Sequence, residues 1–378
     1  MFCLSLLVFG CVSCGSDEPI DSKMSKKEQM LCAAITPYVD NTVLPTYKGM
    51  ADNAILMCKA CDDILEAFDN NSLTSEMVAS AGKYWNKSRA YWEKSEAFLY
   101  GPAADYNIDP HIDSWPLDKN AMDAQLASLR AGNEWNIDNN AGYGLLGFHA
   151  VEYLLFELNE DGTQSRTHSL NYKREELVYL ATVAADLRNQ CVYLEAAWAG
   201  TDQISEEKKA ILEEAELSSR NVYGWMMKNA GSAGSVYKSY QEAAEDIING
   251  CIDIADEVGN TKIGRPNNGA SSEDKNYIES PYSLNSIVDF YDNIVSIQNA
   301  YEGSQKGDAS ISQYIKSVNS ELDTKIKAKI EESKEAIKAI PEPFAKHATE
   351  AAADKAVVVV GTELVDLLEE ALTEISKN

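Results

Sequence analysis

In AGYGLLGFHAVEYLLFEL (141–158) a helix would be apolar on almost every side, yet His149 and Glu152 stand in its middle. Three residues apart on a helix, they share a face, so an imidazole nitrogen and a carboxylate oxygen can converge on one point. Leu145 and Phe156 flank that face with apolar surface. An isolated buried carboxylate costs several kcal/mol or gives up its charge, so groups placed there must be paired or hold a cation. Two readings fit the spacing: a divalent metal site, or a buried His–Glu ion pair that pins two helices.

A second constellation lies upstream. Trp85, Arg89, Trp92 and Glu96 recur at i, i+4, i+7 and i+11 and form one narrow stripe. Two tryptophans in a stripe face a core, which draws Arg89 and Glu96 inward with them. The bland alternative has Arg89 snorkelling between the rings with Glu96 as its surface partner. The chain then enters an aromatic loop carrying Asp109, His111, Asp113 and Trp115. In the second half, Ser286, Asp289, Asn293 and Ser296 make a polar stripe beside Ile287, Ile294 and Ile297. Such a stripe reads as the solvated face of a bundle helix, or else as an interface.

The elements that must position these groups are helices. Helical periodicity runs through about 25–69 with a bend at Pro45, then 73–99, 119–131, 142–158, 171–199, 205–229, 237–257, 283–302, 308–339 and 347–376. VVVV (357–360) reads as strand by itself, but its neighbours pull it into a helix. An all-α architecture of helical bundles follows. Two stretches, 100–120 and 258–283, read as long irregular loops from their Pro, Gly, Asn and Ser content. The break at 159–169 is the candidate boundary between an N-terminal bundle (24–165) and a C-terminal one (166–378), two bundles of one plan.

Composition excludes one partner class and suggests a compartment. A net charge of -27 leaves no basic stripe for a nucleic acid. MFCLSLLVFGCVSCGSDEPIDSK (1–23) opens with an apolar run too short to span a bilayer and turns polar after Cys14. It looks like a bacterial lipoprotein signal with Cys14, or less readily Cys11, as the lipid-anchored residue, although no Lys or Arg precedes the apolar run. The acidic GSDEP after Cys14 resembles the export tag of some surface lipoproteins. The expected place is the cell envelope, at the outer membrane or cell surface or on its periplasmic side. Cys58 and Cys61 have CxxC spacing but fall on the apolar side of a helical pattern, where small core residues are expected rather than a redox or zinc pair.

Taken together, Gly147-Phe148-His149-Ala150-Val151-Glu152, WNKSRAYWEKSEAFLYGP (85–102) and IDSWPLD (112–118) resemble the imelysin-like proteins, a helical exported family grouped with the M75 peptidases and with a periplasmic component of bacterial iron uptake. NTVLPTYKGMADNA (41–54) and SIVDFYDNIVSIQNAYEG (286–303) are similar too, so the resemblance covers most of the chain. It implies two helical-bundle domains with a site near their interface. It also implies metal ligands at His149, Glu152, Glu96 and Asp113, lined by Arg89, Trp92 and Trp115. One nitrogen with several carboxylate oxygens suits Fe²⁺, Mn²⁺ or Zn²⁺, with iron favoured by the family's association. The expected role is iron uptake or regulation by a lipid-anchored protein, with iron-transport proteins as partners. The competing readings are a metallopeptidase and a surface polysaccharide or adhesion module with a structural metal. Neither HExxH nor HxxEH occurs, since Tyr153 follows Glu152, and a second His ligand would have to be His111. Metal binding without catalysis is the favoured expectation.

Overall fold

A computed structural model describes residues 24–135, 137, 142–156 and 170–377. The lipoprotein-like segment with Cys14 and the whole 159–169 break, including the 165/166 boundary, lie outside the described residues. Among them the structure is all helical, with no strand. The helices of ten residues or more are α1 (Lys26–Pro37), α2 (Leu44–Asp69), α3 (Ser75–Glu93), α4 (Lys119–Arg130), α5 (Gly147–Phe156), α6 (Arg174–Ala199), α7 (Tyr240–Asp256), α8 (Ser286–Glu302), α9 (Ser320–Lys338) and α10 (Val365–Ser376). Side-chain oxygens begin several of them: Ser25 accepts from the Glu28 amide, Thr74 from Met77 and Ser239 from Glu242. Each such cap is worth about 1 kcal/mol.

One contiguous apolar core runs through both halves, from Leu31 and Tyr47 through Trp85, Trp92, Phe148 and Trp198 to Phe290, Ile330 and Leu368. Burying each large apolar side chain contributes about 1.5–3 kcal/mol. Cys58 and Cys61 belong among these core groups, and burial pushes the Cys58 thiol up to about 11. No helix among the described residues is long and apolar enough to cross a membrane.

Several element boundaries differ from the sequence reading. The helix expected over 73–99 ends at Glu93 and is followed by a short 3₁₀ turn, Glu96–Phe98. The 100–120 loop contains two short helices, Pro102–Asp105 and Ile108–Asp113. The 258–283 stretch begins as helix: Glu257–Ile263 is a π-helical turn that continues α7 into Gly264–Asn268. Gly259 and Gly264 weaken a helix by about 1 kcal/mol each and so read as breakers. Packing overrides that propensity here. A methyl group on Gly259 would lie 2.2 Å from the Gly361 Cα, in a second π-helical turn, Val359–Leu364. The two backbones touch, and only glycine permits it.

A third π-helical turn, Tyr38–Val43, joins α1 to α2. Its sequence, Val39-Asp-Asn41-Thr42-Val43-Leu44, parallels Val258-Gly-Asn260-Thr261-Lys262-Ile263 in the second half. The same helix–π turn–helix unit therefore occurs in both halves. Gly259→Ala should lose about 1–3 kcal/mol of stability in denaturant melts, the range for overpacking a tight core contact. A change within about 0.5 kcal/mol, typical of a free surface position, would show that the two turns do not need their contact.

Candidate functional site

The stripe on α3 faces α5. The Trp85 indole donates to the Phe148 carbonyl at 2.9 Å, and the Arg89 guanidinium lies over the Phe148 ring at 5.3 Å. Gly147 begins α5 with φ +72°, and a Cβ there would stand 2.0 Å from the Ile112 carbonyl oxygen. This close approach sets the segment ending at Asp113 against the start of α5. Asp113 Oδ1 consequently lies 3.2 Å from His149 Nε2. The other ring nitrogen, Nδ1, lies 3.2 Å from Glu152 Oε2. The Trp115 ring packs 4.7 Å from the His149 ring, and the Trp92 indole donates to Asp113 Oδ2 at 2.7 Å.

Arg89 is wholly buried and does not pair with Glu96, so the snorkelling alternative is overturned. Its guanidinium meets Asp113, Glu93 at 2.5 Å, Glu279 at 2.7 Å and Asp289 at 3.5 Å. A guanidinium drawn this deep needs carboxylates on every side. Four come, one from α3 itself and three from elsewhere in the chain. Lys262 supplies a second buried cation, 3.1 Å from Glu279 and 3.9 Å from both Glu93 and Glu96.

The second half closes the site through the turn before α8. The backbone amides of Tyr282 and Ser283 and the Ser283 hydroxyl all donate to Glu152 Oε1, at 3.1, 2.8 and 2.7 Å. Ser280 donates to Asp289, and Ser286 donates to the Glu279 carbonyl. Ser286, Asp289, Asn293 and Ser296 are all buried, which corrects the solvated-face reading of that stripe. They face polar groups of α3 and the 3₁₀ turn: Asn293 donates to Glu93, and Ser296 accepts from the Ala97 amide. His111 stands apart, with Nε2 2.8 Å from Asp186.

Of the residues expected from sequence, His149, Asp113, Glu152, Arg89, Trp92 and Trp115 meet directly. Glu96 is buried beside Lys262 and close to Glu93 and Asp113. Among the described residues two groups have ligand atoms within 4.8 Å of one another: Asp113 with His149 and Glu279, and Glu93 with Glu96 and Asp113. Sequence reasoning missed Glu93, Glu279 and Lys262. Glu93 carried a signal, four residues after Arg89 on one helix face. Glu279 and Lys262 carried none, because their side chains arrive from a turn and a π-helical bulge without periodicity.

Burial raises the carboxyls of Glu93 and Glu96 well above the usual range, with Arg89 and Lys262 respectively opposing it. Burial also pushes Asp289 up to about 7. Asp113 is likewise penalised by burial, but Arg89 and His149 outweigh this and hold it below the usual carboxylate range.

A helical chain folded around buried carboxylates, one imidazole and two fixed cations belongs to the class of helical proteins with an internal charged site. This chain belongs to the imelysin (peptidase M75) family, whose model matches residues 43–373. It is 27% identical over 314 residues to iron-regulated protein A of Synechococcus elongatus, covering 82% of this chain and 76% of that one. A crystal structure from Parabacteroides distasonis, provisionally described as an iron-regulated protein A precursor, is similar with a TM-score of 0.78 and 28% identity, covering 94% of this chain and 97% of that one. An imelysin-like protein from Psychrobacter arcticum shares the fold with a TM-score of 0.64 at 10% identity, over 93% and 96% of the two chains.

The imidazole gives a pH prediction for the metal-free protein. Burial opposes a charged ring, but the contacts with Asp113 and Glu152 outweigh it and hold His149 up at about 9. A folded value above the unfolded one of about 6.5 gives stability fully present below about pH 6.5 and lost as pH rises through about 9. The gap corresponds to about 3 kcal/mol. Denaturant midpoints with chelator present should fall across that window for the wild type and stay nearly level for His149→Gln. Parallel slopes for the two proteins would show that the ring is not held charged.

Proposed function

We propose that the chain binds a divalent metal ion, iron in preference to manganese or zinc, and takes part in iron uptake or regulation. The carrying observation is the convergence of His149 Nε2, a buried nitrogen 3.2 Å from Asp113 Oδ1 but without hydrogen-bond geometry to it, with Asp113 and Glu279. With its proton on Nδ1 donating to Glu152, the ring keeps Nε2 for a cation. A carboxylate behind a ligating histidine commonly fixes the tautomer in this way. Glu279 Oε2 is a second buried atom without a hydrogen bond.

The charge balance supports the same reading. Six buried carboxylates, Glu93, Glu96, Asp113, Glu152, Glu279 and Asp289, surround two permanent cations, Arg89 and Lys262. Protons can relieve part of this excess and a divalent ion can relieve more. One nitrogen and carboxylate oxygens form a donor set for Fe²⁺, Mn²⁺ or Zn²⁺. In this reading His149, Asp113 and Glu279 ligate, Glu152 orients the ring, and Glu96 lies beside the metal position. The similarity to proteins named as iron-regulated favours iron. The cell envelope, a lipid anchor at Cys14 and contact with iron-transport proteins belong to the same proposal, on the strength of residues 1–23.

Calorimetric titration of Fe²⁺ under anaerobic conditions, and of Mn²⁺ and Zn²⁺, should show one ion per wild-type chain. His149→Ala and Asp113→Asn should weaken binding at least about 100-fold, and Glu152→Gln about 10–100-fold. Binding should release protons and weaken as pH falls, because the metal displaces the proton on His149. Absence of binding, with a loss of about 3–5 kcal/mol of stability in His149→Ala, would establish a plain ion pair instead.

A further inference from the structure

Lys262 stands where the matching turn of the first half carries Val43, which is completely buried. The backbone of the π-helical turn therefore accommodates an apolar side chain at that place, and the ammonium answers to its surroundings. Those surroundings are Glu93, Glu96 and Glu279, with Lys262 only 5% exposed. Glu96 is the telling neighbour. It is 7% exposed and makes no hydrogen bond among the described residues, and Lys262 Nζ lies 3.9 Å from it. Oxygens of Glu93, Glu96 and Asp113 lie within 4.8 Å of one another, a spacing that suits a cation better than three self-repelling charges.

We propose that Lys262 is a tethered cation: its ammonium neutralises a second cation position formed by Glu93, Glu96 and Asp113, and so limits the chain to one metal ion. The position adjoins the His149 site because Asp113 belongs to both groups. An ammonium is a compact point charge on a flexible stem, able to stand beside several carboxylates without the fixed fork of a guanidinium. Removing that charge while keeping apolar bulk leaves three carboxylates that a divalent ion can bridge. The one-ion count for the wild type rests on the proposed function; the second position does not.

The test is Lys262→Met with Mn²⁺ as the probe, read by equilibrium dialysis with metal analysis and by electron paramagnetic resonance. Lys262→Met should bind two Mn²⁺ where the wild type binds one, with the spectrum of a coupled pair because Asp113 is shared. Adding Glu96→Gln to Lys262→Met should return the count to one. Should Lys262→Met fail to fold without metal, Mn²⁺ should restore its folding; failure of that rescue overturns the proposal. A folded Lys262→Met that binds one ion while the wild type also binds one overturns it too, leaving the His149 site intact. Binding by Lys262→Met alone, with none in the wild type, would sustain the second position and refute the His149 site.

Discussion

The Arg89 guanidinium cannot give up its proton, and it is wholly removed from water. The arrangement of the charged groups around it follows from that constraint. Stranding such a charge costs several kcal/mol, so the chain must deliver carboxylates to it from wherever it can. Glu93 arrives from the next turn of the same helix, Asp113 from the end of a short helix, Glu279 from a turn and Asp289 from α8. Four carboxylates exceed what one guanidinium needs, and the surplus draws in Lys262 and the ring of His149.

Convergence of this kind ties folding to site formation. Glu152 is satisfied by backbone amides at Tyr282 and Ser283, and Glu93 by Asn293, so the first half leaves polar groups that the second half completes. The backbone contact at Gly147 is the mechanical counterpart. It brings the segment ending at Asp113 against α5 without an intervening side chain, which places the carboxylate beside the imidazole. Neither half could present this constellation alone. The same surplus of negative charge that makes the interior costly makes it receptive to a cation.

The helical architecture was legible because its apolar periodicity is long and regular. So was the half of the site carried on helices: His149 and Glu152 share a face of α5, and Arg89 lies on the tryptophan stripe of α3. The irregular half was not. Glycine at 259 reads as a breaker, whereas the structure uses its missing side chain to bring two π-helical turns into contact. Lys262 rides on that bulge, and Glu279 hangs from a turn whose order comes from tertiary hydrogen bonds. The polar stripe of α8 looked solvated because its amphipathic pattern cannot distinguish water from a buried polar network. The imelysin resemblance joined His149 to Asp113 across a loop that periodicity alone could not bridge.

The central claim is that this buried anionic pocket is completed by a metal ion at His149. Crystals grown with Mn²⁺ and measured for anomalous scattering test it most directly. The account predicts a peak within coordination distance of His149 Nε2 and of carboxylate oxygens from Asp113 and Glu279 together. A map with no peak there, or with Mn²⁺ only on the acidic surface while His149 stays paired with Asp113 and Glu152, would contradict it.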